Sequence, residues 1–385
     1  MKSGPLRVFT CLGILALIFL CASTIHCGES PKDTGRSVSR EALEMIRETA
    51  VFVRQPASDV RAFSALIPFG WQAEEDRREF HGVQPHAAAH SFNKLPGHTL
   101  SDPFGRVMIK WLPLQTYFDA RKSQIGNLLD FLPAGSKYQG MICRKRVPAA
   151  HFLIEILFPI VHPKAKNREV LAQRRVFPFK HLTAADLDDA IPIQEHPTDI
   201  DAATATIVYE ENGITYQEKA LAILRNYDRL YPGVWRCEMA LFLRAPDTEF
   251  RNWEPVFSVI QRSRLLNASW LRELLRAYYK TVLVDYIDVK ATIEKTIQNS
   301  QAEHNALATA VHRELFSHLD DQIEYVNGYT QRIEPGSNKW QFRWASMRGD
   351  VIYSNLSNYD PNRDKRLSQT KYKKTPVKND LSHNQ

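Results

Sequence analysis

The sequence predicts an α+β fold: an antiparallel sheet with flanking helices, followed by a long amphipathic helical arm and a C-terminal β-hairpin. Three observations predict it. Ala203 to Tyr209 alternates in polarity, Asn212-Gly213 makes a two-residue turn, and Tyr216 to Leu224 returns as the second strand of a hairpin. Behind Asp247, a natural N-cap, Phe250, Trp253, Val256, Phe257 and Ile260 recur at the spacing that buries one helical face. From Leu271 to Tyr325 there is neither Pro nor Gly, and Leu271, Leu275, Tyr278, Val282, Tyr286, Val289, Ile293 and Ile297 follow in steps of three and four. That last pattern is one long helix or two in series, and its polar middle, Thr296 to His304, is suited to stand off the core or lie on a partner.

The remaining elements follow in chain order. Ser39 can cap a helix from Arg40 with Leu43, Ile46 and Ala50 on one face, ended by Pro56. Ala65 to Trp71 is a short apolar strand closed by Pro68 and Gly70, and His90 to Asn93 is a second candidate. Asp102-Pro103-Phe104-Gly105 is a turn that introduces the strand Arg106 to Leu112, and Met141 to Arg146 reads as another strand. Pro148 opens a helix over Ala149 to Leu157, which Pro159 should halt. Ala184 to Ala190 has the pattern of a short helix, and Trp235 to Leu243 that of a strand. The chain ends in Trp340 to Ala345, a turn at Arg348-Gly349-Asp350, and Val351 to Ser354.

Composition sets the class. The chain has 385 residues, 44% of them hydrophobic and 24% charged, an ordinary globular balance with enough apolar material for a sizeable core. Lys2 and Arg7 precede an apolar run from Val8 to Ala22, and small residues follow, which is the pattern of a secretory leader. The leader has three readings: cleavage near Ser23 or Thr24, retention as an anchor, or acylation at Cys27. Net charge is +7, and the tail from Pro361 carries seven Lys or Arg against two Asp. Such a tail reads as a solvated, disordered terminus, with an anionic membrane surface as the alternative partner. Nucleic acid is not expected of an exported chain.

Few residues carry recognisable chemistry. His81, His86 and His90 are the densest histidine cluster, but Pro85 and their flanks point to loop or strand, and no companion ligand has metal-site spacing. Nucleophile elbows, zinc-protease motifs and phosphate-cradling loops are absent, so no catalytic residue, metal or cofactor is expected. Cys143 beside Arg144 and Lys145 fits a buried strand position better than a reactive thiol. Cys143 and Cys237 are either a disulfide or two buried thiols. The acidic pairs Asp188-Asp189 and Asp320-Asp321 do not converge as dyads, and Asp360 with Asp364 lacks calcium-loop spacing. Asn267 and Asn355 stand in glycosylation sequons.

The aromatic residues Tyr325, Tyr329, Trp340, Phe342, Trp344, Tyr353 and Tyr359 crowd one short segment. Such density either seals the hairpin onto the long helix or presents a contact surface. On the second reading Tyr329, Trp340, Phe342, Trp344 and Tyr353 are the partner-binding residues.

Two motifs carry a family resemblance. Arg244-Ala245-Pro246-Asp247 with Trp253 to Ile260 resembles the C-terminal strand and helix of the PsbP/Mog1-like family, and Ile67-Pro68-Phe69-Gly70-Trp71 resembles its first strand. The resemblance implies an α/β sandwich over about Ala65 to Ser263, and a binding or assembly role without shared catalytic residues. The segment Tyr325 to Asp360 is similar to a tail of uncharacterised bacterial exported proteins.

The organisation expected is a leader or anchor (1–27), a linker and short helix (28–60), a sandwich (61–266), a helical arm (267–324), an aromatic hairpin (325–360) and a disordered basic tail (361–385). The function expected is an exported, envelope-associated binding or assembly protein with an unknown protein partner in the cell envelope. A secreted hydrolase using His81, His86, His90 or Cys143 is the rival.

Overall fold

The computed structural model describes residues 49–56, 62–76, 97–122, 133–138, 141–176, 199–227, 232–281, 289–319, 323–329, 331, 333–337, 339–363, 367 and 370–375. All lie in one unit, residues 44–385. In chain order come the strands β1 (Thr49–Pro56), β2 (Phe63–Pro68), β3 (Gln72–Asp76), β4 (Gly97–Ser101), β5 (Met108–Leu112), β6 (Gln115–Phe118), β7 (Lys137–Tyr138) and β8 (Met141–Cys143). A helix, α1, then runs through Ala149–His151, a π-helical segment Phe152–Leu157 and a last turn Phe158–Val161. Next are β9 (Lys166–Val176), β10 (Asp199–Glu211), β11 (Ile214–Asn226), β12 (Val234–Pro246), helix α2 (Phe250–Arg262) and β13 (Leu265–Leu266). Helices α3 (Ala268–Thr281) and α4 (Val289–Phe316) precede β14 (Glu324–Val326), β15 (Ile333–Pro335), β16 (Phe342–Ser346), β17 (Val351–Ser354) and β18 (Tyr372–Lys374).

The fold is mixed α+β with curled antiparallel sheets. The larger sheet runs β3-β4-β5-β12-β11-β10-β9, with β6, β7 and β8 branching from β12; its one parallel pairing is β6 with β8. The hairpin β10–β11 is its spine. Asn212 and Gly213 take φ of +52° and +77°, the left-handed pair that a tight hairpin turn needs, and Glu211 then faces Ile214. Ala203 and Ala205 on β10 are small enough for α1 to lie close against that face of the sheet. The smaller sheet runs β13-β2-β1-β17-β16-β18, so the first and last strands described share one sheet.

Helix α2 sits between the sheets, touching β2 on one side and β12 on the other, with α4 packed on it as well. Every residue from Trp253 to Gln261 is buried, so the helix is enclosed all round and not along one face. Its start also differs from expectation. Asp247 makes no cap; Asp247–Glu249 is a 3-10 turn with Asp247 and Thr248 exposed, and the helix opens at Phe250 without a side-chain cap.

Other expectations change too. Residues 49–56 form a strand, not the end of a helix, because Val51, Phe52 and Val53 are β-favouring and β2 and β17 pair on either side. The rest of that expected helix, His90 to Asn93 and Ala184 to Ala190 lie outside the described residues. The strand at Met141 stops at Cys143. Pro159 does not halt α1: a widened π-helical segment precedes it, and the helix continues to Val161.

The helical arm is not an arm. Helices α3 and α4 fold back on each other, with Arg272 Nε 2.7 Å from Glu294 Oε1. Leu271 and Leu275 share a cluster with Ile293, Ile297, Phe63 and Leu266. The polar middle of α4 also packs inward: Arg225 reaches Glu303 at 3.0 Å, and Gln301 donates to the Leu266 carbonyl. Nor is the C-terminal hairpin a separate module, because β17 pairs with β1 and β16 with β18. The tail expected to be disordered therefore supplies a strand, with Asn362 fixed to both backbone groups of Tyr372.

Candidate functional site

The five aromatic residues expected to face a partner are mostly core. Trp340 and Tyr353 are each 1% exposed and Trp344 is 7% exposed. Phe52 on β1 meets both Trp340 and Tyr353 edge-on, at 6.3 and 5.9 Å, while those two rings stack at 5.0 Å. The sealing role is therefore the correct one, and what they seal against is β1, not the long helix. The fully buried Arg343 guanidinium lies 5.1 Å from the Tyr325 ring and pairs with Glu334. Phe342 and Tyr329 remain partly exposed, but the tail covers them: Lys374 Nζ is 4.4 Å from the Phe342 ring centroid and Lys373 Nζ is 4.4 Å from that of Tyr329. Trp340, Trp344 and Tyr353 are thus buried, while Phe342 and Tyr329 stay half-exposed beneath these lysines.

The other candidates are quickly placed. Cys27, His81, His86, His90, Asp188, Asp189, Asp320, Asp321 and Asp364 lie outside the described residues. Cys143 and Cys237 are both free and buried, in different clusters: Cys143 with Phe118 and Met141, Cys237 with Trp235 and Phe242. Burial pushes the Cys237 thiol far above its ordinary range. Asn267 uses its side chain to cap α3, accepting from Ser269 and Trp270. Among the described residues no group of three His, Cys, Asp or Glu could hold a metal ion, and no helix is long and apolar enough to cross a membrane.

Sequence reading missed a polar constellation on the face of the larger sheet that α1 covers. His162, just past α1, places Nε2 2.8 and 3.1 Å from the two carboxylate oxygens of Glu218 on β11. The Tyr209 hydroxyl on β10 lies 3.2 Å from His162 Nδ1. Beside them Arg244 on β12 donates to Glu211 at 2.8 Å and to the Gly105 carbonyl at 2.6 Å, and lies 4.6 Å from the Tyr216 ring centroid. Glu218 and Tyr209 are 0% exposed and His162 3%, under Phe158 and Phe242. Burial and the Glu218 charge push the Tyr209 phenol far up, which keeps it a neutral donor. A carboxylate, imidazole and phenol in series is acid–base equipment in composition. Here its partners are internal, so it pins the end of α1 to the hairpin. The signal was available in the alternation: Tyr216, Glu218 and Ala220 share the inward face of β11, so Glu218 had to be a buried acid.

The open feature of the molecule is β9. It ends the larger sheet, and among the described residues only β10 pairs with it. All ten residues from Lys166 to Arg175 are exposed, including Leu171 at 53%. Period-2 geometry sends Val170 and Leu171 to opposite faces, so both faces of the strand are open. Lys166, Arg168, Arg174 and Arg175 make it basic against the single acid Glu169. Long exposed edges are usually blunted by bulges and charge. The register shifts against β10 after Thr206 and after Val208, and the arginines provide the charge. Arg168 binds Glu155 and the Ile154 carbonyl of α1, while Arg174 and Arg175 reach Glu314 and Asp201.

No family model matches the chain, and no curated protein matches it.

Proposed function

We propose that this chain is an exported, envelope-associated, non-enzymatic binding or assembly protein that captures an extended segment of a protein partner along β9. One observation carries the reading: β9 ends the larger sheet, its ten residues Lys166 to Arg175 are exposed, and among the described residues β10 is the one strand paired with it. Strand addition supplies main-chain hydrogen bonds, and the exposed Val170 and Leu171 supply apolar contact on either face. The apolar leader supports export. The Pro-x-Gly-Trp and Ala-Pro motifs support a PsbP/Mog1-like sandwich, whose relatives bind and assemble without a common catalytic set. The closed state of the His162 constellation favours binding over turnover. The hydrolase rival gains nothing from Cys143, which is 3% exposed.

Deleting residues 325–385 would not test this, since it removes three of the six strands in the smaller sheet. The test is a photo-crosslinking residue at Leu171 of the full chain, with the same residue at exposed Met347 as control. A discrete adduct from the envelope fraction at 171 alone is expected, together with a trimmed or acylated mature N-terminus by mass analysis. No adduct at 171, or an untrimmed chain in the cytosolic fraction, rejects the proposal.

A further inference from the structure

Pro-Phe-Gly occurs twice in the chain, at Pro68-Phe69-Gly70 and at Pro103-Phe104-Gly105, and both copies form tight turns. The first joins β2 to β3 and the second lies between β4 and β5. The Trp71 N–H donates to the Pro68 carbonyl at 3.1 Å, and the Gly105 N–H to the Asp102 carbonyl at 3.0 Å. Asp102 braces its turn further, its Oδ1 accepting from the Val107 N–H at 2.7 Å. Each turn carries a phenylalanine in the open: Phe69 is 67% exposed and Phe104 54%. A Cβ on Gly70 or Gly105 would meet no described atom within 4 Å beyond its chain neighbours, so the turn backbones are uncovered too.

The two turns share one support. Gln72 on β3 pairs with Ser101 on β4, so the turn before β3 adjoins the turn after β4. Half-buried Trp71 lies against Trp253 of α2, 5.9 Å between ring centroids, and Arg106 Nη2 is 3.7 Å from Glu249 Oε1. Trp253 Nε1 in turn donates to Glu249 Oε2 at 3.4 Å, which joins both braces at the start of α2. Single exposed apolar side chains are ordinary; two on neighbouring, hydrogen-bonded turns beside a tryptophan make a surface. The first turn also marks where the chain enters this unit. The Phe69 N–H donates to the carbonyl of Val51 on β1, the first described strand, at 2.9 Å. Only residues 28–48 separate that strand from Cys27 and the apolar run before it.

We infer that the Phe69 and Phe104 turns dock on the interface of a lipid bilayer. The leader decides the occupant, because a chain held by it meets the membrane from the end at which it enters its folded unit. The inference therefore rests on the export reading, and it is independent of strand capture by β9. Phenylalanine gains by leaving water, and turns already fixed by their own hydrogen bonds present it with little ordering cost. No basic residue stands between Pro68 and Trp71 or between Asp102 and Gly105, so apolar contact holds the turns and anionic lipid is not required.

The test places a photo-crosslinking residue at position 69, 104 or 347 of the full chain, adds phosphatidylcholine vesicles, and weighs the adducts. Met347 is the control, 77% exposed in the β16–β17 turn, where Gly349 packs on Arg54 towards the other end of β1. Lipid adducts are expected at 69 and 104, severalfold above 347 and undiminished in high salt. Phe104→Ser, with a near-ultraviolet circular dichroism spectrum matching the parent's, should lower the yield at 69 severalfold, because the two turns insert together. Absence of lipid adducts at 69 and 104, an equal yield at 347, or loss of the adducts in salt overturns the inference. A chain-to-chain adduct at 69 in place of lipid also overturns it, and assigns the turns to a second copy. Export and docking fail separately: fractionation and the mass of the mature N-terminus test the first, vesicle adducts the second.

Discussion

The Asp201 carboxylate on β10 accepts a 2.8 Å hydrogen bond from the backbone N–H of Ala149, the first residue of α1, while its other oxygen takes 2.9 Å from Arg175 Nε on β9. One side chain thus caps a helix 52 positions earlier and ties down the edge strand beside it. Helix α1 starts after Pro148 with no local side-chain cap, so this distant acid performs that role. Asp201→Ala should destabilise the chain by about 1–2 kcal/mol, the usual loss for a removed cap with a charged acceptor. Urea unfolding measures it, and a midpoint equal to the parent's contradicts it.

Glu218 and His162 are a buried pair whose members depend on each other. Glu218→Leu leaves the His162 ring and the Tyr209 hydroxyl facing an apolar group and should cost about 3–5 kcal/mol. The double variant Glu218→Leu/His162→Phe removes both polar partners and should regain most of that loss. Additive losses in the double-mutant cycle would show that the two groups are not coupled.

Gly336 is fixed by contact. A Cβ there would stand 2.1 Å from Cε2 of the Tyr325 ring, itself 2% exposed and held edge-on to Tyr353. Gly336→Ala therefore forces the ring out of its place and should cost about 1–3 kcal/mol. Near-ultraviolet circular dichroism reports it as a lost aromatic signal, and an unchanged spectrum contradicts it.

Acid should weaken the packing of α4. Burial first and a neighbouring arginine second pull both His304 and His312 down to about 3, with Arg264 beside the one and Arg262 beside the other. The unfolded chain then takes up these protons first. Stability is therefore intact above about pH 6.5 and falls as pH drops from there towards 3, each histidine adding up to about 1.4 kcal/mol per pH unit. His312→Asn should flatten the fall in urea midpoint between pH 6.5 and 4.5 relative to the parent. An equal slope in both proteins contradicts the assignment.

Local chemistry made part of this fold legible. Asn212-Gly213 fixed its hairpin because only that left-handed pair suits a two-residue turn. The strands at Met108 and Val234, the helix at Phe250 and the helical spacing after Leu271 followed from periodicity. What periodicity does not contain is the partner of a face. Ile293 and Ile297 mark an apolar stripe whether it covers a neighbour or its own α3, and the contact with Leu271 and Leu275 decides. Trp340 and Tyr353 illustrate the same gap, since Phe52, nearly 300 positions away, buries them.

The buried polar groups were harder to read. Glu218 could be found from strand parity, but His162 could not, because it follows a helix that was expected to stop at Pro159. Arg264 gives no local signal: it stands in the link after α2, two residues beyond Arg262, and the Phe63 and Trp111 rings beside it come from distant strands. Strand β9 is a different failure. Its mixed composition from Lys166 to Arg175 has no buried face, so it lacks the alternation by which strands are recognised.

Pairing of Thr49 with Ser354 sets a timetable for biogenesis. Some 300 positions separate the two, so at about 5–20 residues per second the ribosome needs roughly 15–60 s between making one edge and delivering its neighbour. During that interval β1 has β2 on one side but no β17 on the other, and a stop codon anywhere upstream leaves that second side open. Closure of the smaller sheet thus waits on β16, β17 and β18, the strands synthesised last among those described.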